Sequence, residues 1–431
     1  MRSWLAVTFL AVAGFAWSAP EAAKPLVKTA AKPAEPPKLD STCISCHKQL
    51  SEAALEPTKH LDDIHFQRGL SCHDCHGGDP TKGGDDDPSA AHDEKKGWKG
   101  KPTRLQIPIF CAKCHADAAY MKTFNPAIRV DQLSEYRTSM HGKRNALGDD
   151  KTAVCIDCHG VHGIRGIKDP RSKVHPLQVA DTCAHCHNDS VLMAKYDLPT
   201  NQPTAYKTSV HAKALYDKGD LSAPTCNDCH GSHGAAPPGL QTVAQVCGSC
   251  HTREGSLYRE TEKKKKGLNL TPAIQCVTCH DNHAVQRPSD EMFGIGPKSV
   301  CTNCHTPDVP QYKAAETMGA AVSGLSVRLA EAHTLMDRAE RAGMEVSADR
   351  FALRTGQDHL VEARVLVHAF DKDRLMGAVK EGLTSAEAGV TAAERAFAEL
   401  RQRRTGLVVS LVVIAGVIVG LVLKLKEIEG R

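Results

Sequence analysis

The sequence predicts a mainly α and irregular fold in three parts. These are a cysteine- and histidine-rich domain over residues 40–310, a helical hairpin or bundle over 311–405, and one transmembrane helix over 406–423. Three observations predict this. All 18 cysteines fall between Cys43 and Cys304, in nine Cys-x-x-Cys pairs each followed at once by histidine. The cysteine-free stretch after 311 places apolar residues at steps of three and four, the period of a helix with one buried face. The stretch GLVVSLVVIAGVIVGLVL, residues 406–423, carries no charge and is long enough to cross a bilayer.

At the N-terminus, Arg2 precedes an apolar run from Trp4 to Trp17 with small residues after it, the pattern of a secretory signal peptide over 1–18. Fourteen residues are short for a bilayer crossing, which disfavours an uncleaved anchor. Residues 19–39, rich in Ala, Pro and Lys, read as a flexible linker.

The pairs that follow are Cys43/Cys46, Cys72/Cys75, Cys111/Cys114, Cys155/Cys158, Cys183/Cys186, Cys226/Cys229, Cys247/Cys250, Cys276/Cys279 and Cys301/Cys304. The histidines behind them are His47, His76, His115, His159, His187, His230, His251, His280 and His305. CxxCH is the attachment signature of c-type haem: both thiols add to the vinyl groups and the adjacent imidazole becomes the proximal iron ligand. Zinc would need the pairs to cooperate two by two, leaving an odd ninth motif and no reason for the invariable histidine. Nine covalent haems c are therefore expected, with the chain wrapped round them as a multihaem cytochrome c domain. They also account for an aromatic content of only 4%, since flat macrocycles would fill the interior in place of Phe, Tyr and Trp. Each ferric haem with both propionates ionised adds one net negative charge, so the formal +4 becomes about −5 and the basic pI argues for no nucleic-acid partner.

The middle of the chain repeats with two haem motifs per copy. YRTSMH (136–141) precedes CIDCHGVH (155–162), and Cys183 opens the next motif; YKTSVH (206–211) precedes CNDCHGSH (226–233), and Cys247 follows; YRETEK (258–263) precedes CVTCHDNH (276–283), and Cys301 follows. In the third copy Lys263 stands where the others have His141 and His211. Each copy thus offers one histidine upstream and one three residues beyond the first proximal histidine. A three-residue tether cannot reach round to the far face of the same ring, so the latter must cross to a neighbouring iron. His65, His141, His162, His211, His233 and His283 are the leading distal candidates, followed by His92 and His60. His73 and His185, inside CxxCH loops, and His175 read as bystanders.

These eight leave one iron without a distal ligand. Lys263, a histidine from the C-terminal helices, or no ligand at all could fill the place. Met318, Val322, Leu325, Leu329, Ala332 and Met336 mark one apolar helix face; Gly343 stops that helix and Ser347 can cap the next, where Leu353, Leu360, Ala363, Val367 and Phe370 repeat the pattern. His368 is the preferred histidine here, ahead of His333 and His359. Thr384 and Glu387 have the spacing of a capping box for a third helix running into the membrane span. Arg401, Arg403 and Arg404 before the span balance Lys424, Lys426 and Arg431 after it, so orientation rests on the signal peptide: haems outside, residues 424–431 in the cytoplasm.

CxxCH motifs combined with YxxSxH segments and CHGxHG turns resemble the multihaem c-type cytochromes of bacterial respiration, a family that includes the octahaem tetrathionate reductase and hydroxylamine oxidoreductase groups. The resemblance covers roughly residues 40–370. It implies a mostly helical chain round closely spaced haems, usually with two histidine ligands per iron and low potentials. Most such proteins move electrons, and a minority reduce small inorganic anions at one haem lacking a histidine. Lys263 bears on the second possibility, because the tetrathionate-reducing group is similar in carrying a lysine on the distal side of its active haem. The expected function is electron relay at the periplasmic face of the bacterial cytoplasmic membrane, between a quinol-oxidising membrane partner (a quinol dehydrogenase) and periplasmic cytochromes or reductases. The alternative is a terminal reductase of nitrite, hydroxylamine or a sulfur oxyanion, at the haem of Cys276/Cys279 or its neighbour, with Lys263 as its distal residue.

Overall fold

A computed structural model describes residues 42–47, 62–83, 87–237, 243–265 and 274–430. The signal peptide at 1–18, the linker at 19–39 and His60 lie outside the described residues. Among those described there is no strand; helices and irregular segments make up the whole.

Six of the CxxCH motifs take one of two local forms. Cys72–His76, Cys155–His159, Cys226–His230 and Cys276–His280 are single helical turns. Each starts where the third helical residue accepts the N–H of the residue before the first cysteine: Asp74 from Ser71 at 2.7 Å, Asp157 from Val154 at 2.7 Å, Asp228 from Thr225 at 2.7 Å and Thr278 from Gln275 at 3.1 Å. This is half of a capping box, and it explains the Asp of CxDCH. In the second form the motif closes a longer helix, as in Ile107–His115 and Pro176–His187, both begun by proline in the first turn.

The single turns end on a residue with positive φ. Gly77, Gly160 and Gly231 take φ of 72°, 84° and 86°, a conformation open to glycine at little cost. In the third copy the position is Asp281, at φ 65° and ψ −177°.

Four longer helices frame the C-terminal part: α1 (Thr252–Lys265), α2 (Pro310–Arg341), α3 (Ser347–Leu366) and α4 (Lys372–Glu429). The face that α2 buries is the predicted one, and that of α3 is so as far as Ala363, with Leu325, Leu329, Leu353 and Leu360 all in one core with Leu375 and Val379 of α4; α3 ends at Leu366, so the predicted Val367 lies in a 3-10 turn and Phe370 after it is exposed. Full burial of each such side chain contributes roughly 1.5–3 kcal/mol. The helices approach closely at Gly382, where an added Cβ would stand 2.7 Å from the Leu325 side chain.

Two capping expectations are corrected. Thr384 and Glu387 do not start a helix, because α4 begins at Lys372, capped by Asp371, and runs on unbroken. The buried stripe Leu375, Val379, Ala386, Val390, Ala393 carries the helix straight through the proposed box. The Thr384 hydroxyl donates to the Lys380 carbonyl, and Glu387 accepts from Arg328 at 2.8 Å. At the start of α3, the Ser347 hydroxyl bonds Glu345 instead of an N–H of the helix.

From 406 to 423 α4 is exposed and apolar all round, and it is long and apolar enough to cross a membrane. The haem-motif region differs from the bundle in kind. Among the described residues its one side-chain core of its own is Ala180, Tyr206 and Ala212, with Cys226 beside it. So many residues with so little apolar packing among themselves fit a core supplied by another group.

Candidate haem-binding chain

Eight of the distal candidates, His368 among them, each stand opposite the histidine of a CxxCH motif. Ring centroids are 6.1 Å apart for His47 and His92, 6.2 Å for His76 and His162, 5.9 Å for His115 and His65, and 6.1 Å for His159 and His233. They are 6.3 Å apart for His187 and His141, 6.0 Å for His230 and His283, 6.4 Å for His251 and His211, and 6.0 Å for His280 and His368. An imidazole nitrogen lies about 2 Å from a transition metal and the ring centroid about 1 Å beyond it, so two imidazoles on opposite sides of one ion stand roughly 6 Å apart. The spacing fits an iron between the rings of every pair, and is too wide for direct stacking.

Local bonds orient several of these rings. Nδ1 faces a backbone carbonyl at 3.0 Å in His76 (Gly100), 3.2 Å in His230 (Ala236) and 2.9 Å in His368 (Val365). In His65 it meets the Asp63 carboxylate at 2.9 Å. With Nδ1 occupied as a donor, Nε2 keeps its lone pair for iron. Protonation is also disfavoured: burial, then the neighbouring imidazoles of His233 and His115, push His159 down to about 4. Burial likewise lowers His115, His141, His187, His211, His233, His280 and His283, so the ligand-competent neutral form prevails at pH 7.

The cysteines give the order of the sites. Thiol-to-thiol hydrogen bonds and then burial raise Cys111 against Cys155, Cys183 against Cys226 and Cys247 against Cys276. Burial and then a neighbouring cysteine raise Cys72 (beside Cys43) and Cys75 (beside Cys114, to about 11). For Cys158 burial leads, and Cys186 is among the neighbours that add to it; for Cys229 and Cys279 the corresponding neighbours are Cys250 and the pair Cys301 and Cys304. Three of these neighbour pairs meet through thiol hydrogen bonds and the other five lie within reach of each other's charge, so successive motifs are neighbours all along the series. The contact alternates, first cysteine to first and then second to second, so spatial order follows chain order.

Cys46 is half-buried in the opening turn, Thr42–His47. Like the others it is free of any disulfide, which leaves it available for a thioether bond.

The ring pairs extend the repeat. The upstream histidine of a copy faces the second motif of that copy (His65 with His115, His141 with His187, His211 with His251), while the histidine after CxxCHxx faces the first motif of the preceding copy (His162 with His76, His233 with His159, His283 with His230). Tyrosines hold the copies in one conformation: Tyr136 donates to Ala153, Tyr206 to Pro224 and Tyr258 to Ile274, in each case the carbonyl two residues before a CxxCH.

The third copy ends differently. Ser139 and Ser209 break the chain and cap the helices that carry His141 and His211, through 2.9 and 3.1 Å bonds to Gly142 and Ala212. The equivalent Thr261 lies within unbroken α1, and its hydroxyl donates instead to Ala369 at 2.9 Å. That bond docks the 3-10 turn Val367–Ala369 on α1 and sets His368 opposite His280. The C-terminal bundle therefore supplies what a further copy would have supplied.

The remaining histidines lie elsewhere. His175 caps Pro176–His187 by accepting from Leu177, and His359 pairs with Glu362 at 3.5 Å beneath Gly382. His333 sits 23 positions beyond the start of α2, roughly 34 Å along it. Sequence reading missed Asp63 and Trp98. Asp63 was detectable as a carboxylate two residues before His65; Trp98, 4.3 Å from His92 and 6.0 Å from His76, gave no periodic signal.

Residues 220–306 match the cytochrome c3 family. This cytochrome c3 segment holds the last four CxxCH motifs, and the match supports a multihaem c-type cytochrome with covalently bound haem that transfers electrons. No curated protein and no solved structure matches the chain significantly.

Proposed function

We propose that the chain is a membrane-anchored, periplasmic nonahaem c-type cytochrome that relays electrons between a quinol-oxidising membrane partner and periplasmic acceptors such as soluble cytochromes or reductases. The observation that carries this reading is the series of eight imidazole pairs at about 6 Å, strung in chain order by cysteine contacts between successive motifs. Haem supplies the one-electron chemistry; the polypeptide fixes axial ligands, burial and spacing. Crossed ligation binds the first haem-carrying turn of a copy to a histidine from the next copy, which resists separation of neighbouring sites. The apolar half of α4 supports a membrane anchor, and the leader-like residues 1–18 support export. The sites nearest the bundle, at His280 and His305, then face the membrane partner, and the site of Cys43, Cys46 and His47 faces soluble acceptors.

The test uses right-side-out membrane vesicles given a quinol and then a soluble c-type cytochrome. The haem α band should rise with the first addition and fall with the second. A chain lacking residues 406–431 should lose the quinol response and keep reduction by dithionite. A protein whose mass lacks covalent haem would overturn the reading.

A terminal reductase is the second reading. His368 opposite His280 disfavours the haem of Cys276/Cys279 as its centre and directs attention to the neighbour at His305.

A further inference from the structure

We infer that the haem carried by Cys301, Cys304 and His305 is the one iron without a histidine on its distal face, and that it binds a small exogenous ligand that donates a single lone pair. The inference rests on the nine-haem reading and locates within it the one site open to inner-sphere chemistry.

Three observations carry it. Eight proximal histidines face a partner imidazole, whereas the ring of His305 faces none among the described residues. The repeat says which position should have supplied one. His65, His141 and His211 face the second motifs of their copies, and the next place in that register is Lys263 of α1, which would serve His305. The backbone departs in the same place: α1 runs straight through Thr261, where the other copies break at a capping serine to present their histidine.

The leftover histidines do not supply a substitute. His333 and His359 are placed within the bundle helices, and His175 caps a helix of the fifth motif. An iron held by two imidazoles is saturated and exchanges electrons only through its ring edge. An iron held by one can bind a diatomic or small anion directly.

Carbon monoxide is the probe, added to the dithionite-reduced full-length protein in detergent and followed in the Soret band. Saturation is expected at one molecule per nine haems. Cys301→Ala with Cys304→Ala should abolish binding and leave eight haems. As a second variant, Thr261→Ser with Lys263→His restores the Ser-x-His of the other copies and should also abolish binding, with all nine haems retained. No binding to the wild-type protein, or undiminished binding to either variant, overturns the assignment. Haem content of the same samples, measured as the pyridine haemochrome, tests the nine-haem reading separately.

Discussion

The rings of His280 and His368 lie 6.0 Å apart and 16° from parallel, although 88 positions of chain separate them. His159/His233 and His230/His283 share this near-parallel arrangement, at 14° and 10°, whereas the other five pairs are inclined by 48° to 86°. Parallel imidazoles donate into the same iron d orbital and split the pair; inclined ones leave it nearly degenerate. Low-temperature EPR of the oxidised protein is expected to resolve two classes of low-spin haem, three near-parallel and five inclined. Replacing His368 by Met should remove one member of the smaller class and raise one potential by on the order of 0.1 V, within the ~0.8 V that axial ligands span. A redox titration showing all potentials unmoved would refute the pairing.

Asp63 is expected to act on His65 through two bonds. Its carboxylate meets His65 Nδ1 at 2.9 Å and accepts from the His65 and Ile164 backbone at 2.8 Å each. Burial opposes ionisation, yet these bonds prevail and hold the carboxyl below its usual range. A depressed folded pKa contributes stability that is complete above the unfolded value near 3.8 and is lost as pH falls through the folded one. Asp63→Ala should therefore cost about 1–3 kcal/mol at pH 7, from amides left unpaired, and the gap from wild type should close below pH 4. Chemical unfolding at both pH values measures this.

Asp281 occupies a backbone region that is essentially glycine's alone, at a cost of about 1–3 kcal/mol. Asp281→Gly, matching Gly77, Gly160 and Gly231, is expected to stabilise the protein by roughly 1 kcal/mol, allowing for the lost 2.6 Å bond to Asn282. The reciprocal Gly160→Ala should destabilise. Equal melting of Asp281→Gly and wild type would show that the strain is absorbed elsewhere.

Leu325 is completely buried between α2, α3 and α4. Leu325→Ala is expected to cost about 2–5 kcal/mol. Because the bundle presents His368, heating this variant should release one distal ligand before the rest, seen as a new high-spin band preceding global unfolding.

Much of the site was legible because it is local. CxxCH announces covalent haem within five residues, and the register of His141, His162, His211 and His233 is visible by self-alignment. Which imidazole meets which was not, since that depends on how copies stack: His233 and His159 are 74 positions apart. The helical faces of α2 and α3 could be read from their period, but the path of α4 could not. Thr384 and Glu387 have the spacing of a cap, and only packing against Arg328 and the core reveals a continuous helix. The role of Thr261 was hidden because a hydroxyl that caps in two copies is redirected by a segment more than a hundred residues away.

The uninterrupted course of α4 gives the molecule a mast. The 34 residues from Lys372 to the start of the apolar half span roughly 50 Å, with no proline, glycine pair or turn at the water boundary to act as a joint. In the proposed membrane-anchored arrangement, leaning residues 406–423 by ten degrees would sweep the top of that mast sideways by about 9 Å, within the ordinary range of tilts. Bilayer thickness thereby becomes an aiming control for the haem domain, and a lipid that straightens or slants one apolar segment would alter how far its outermost site reaches toward whatever drifts past.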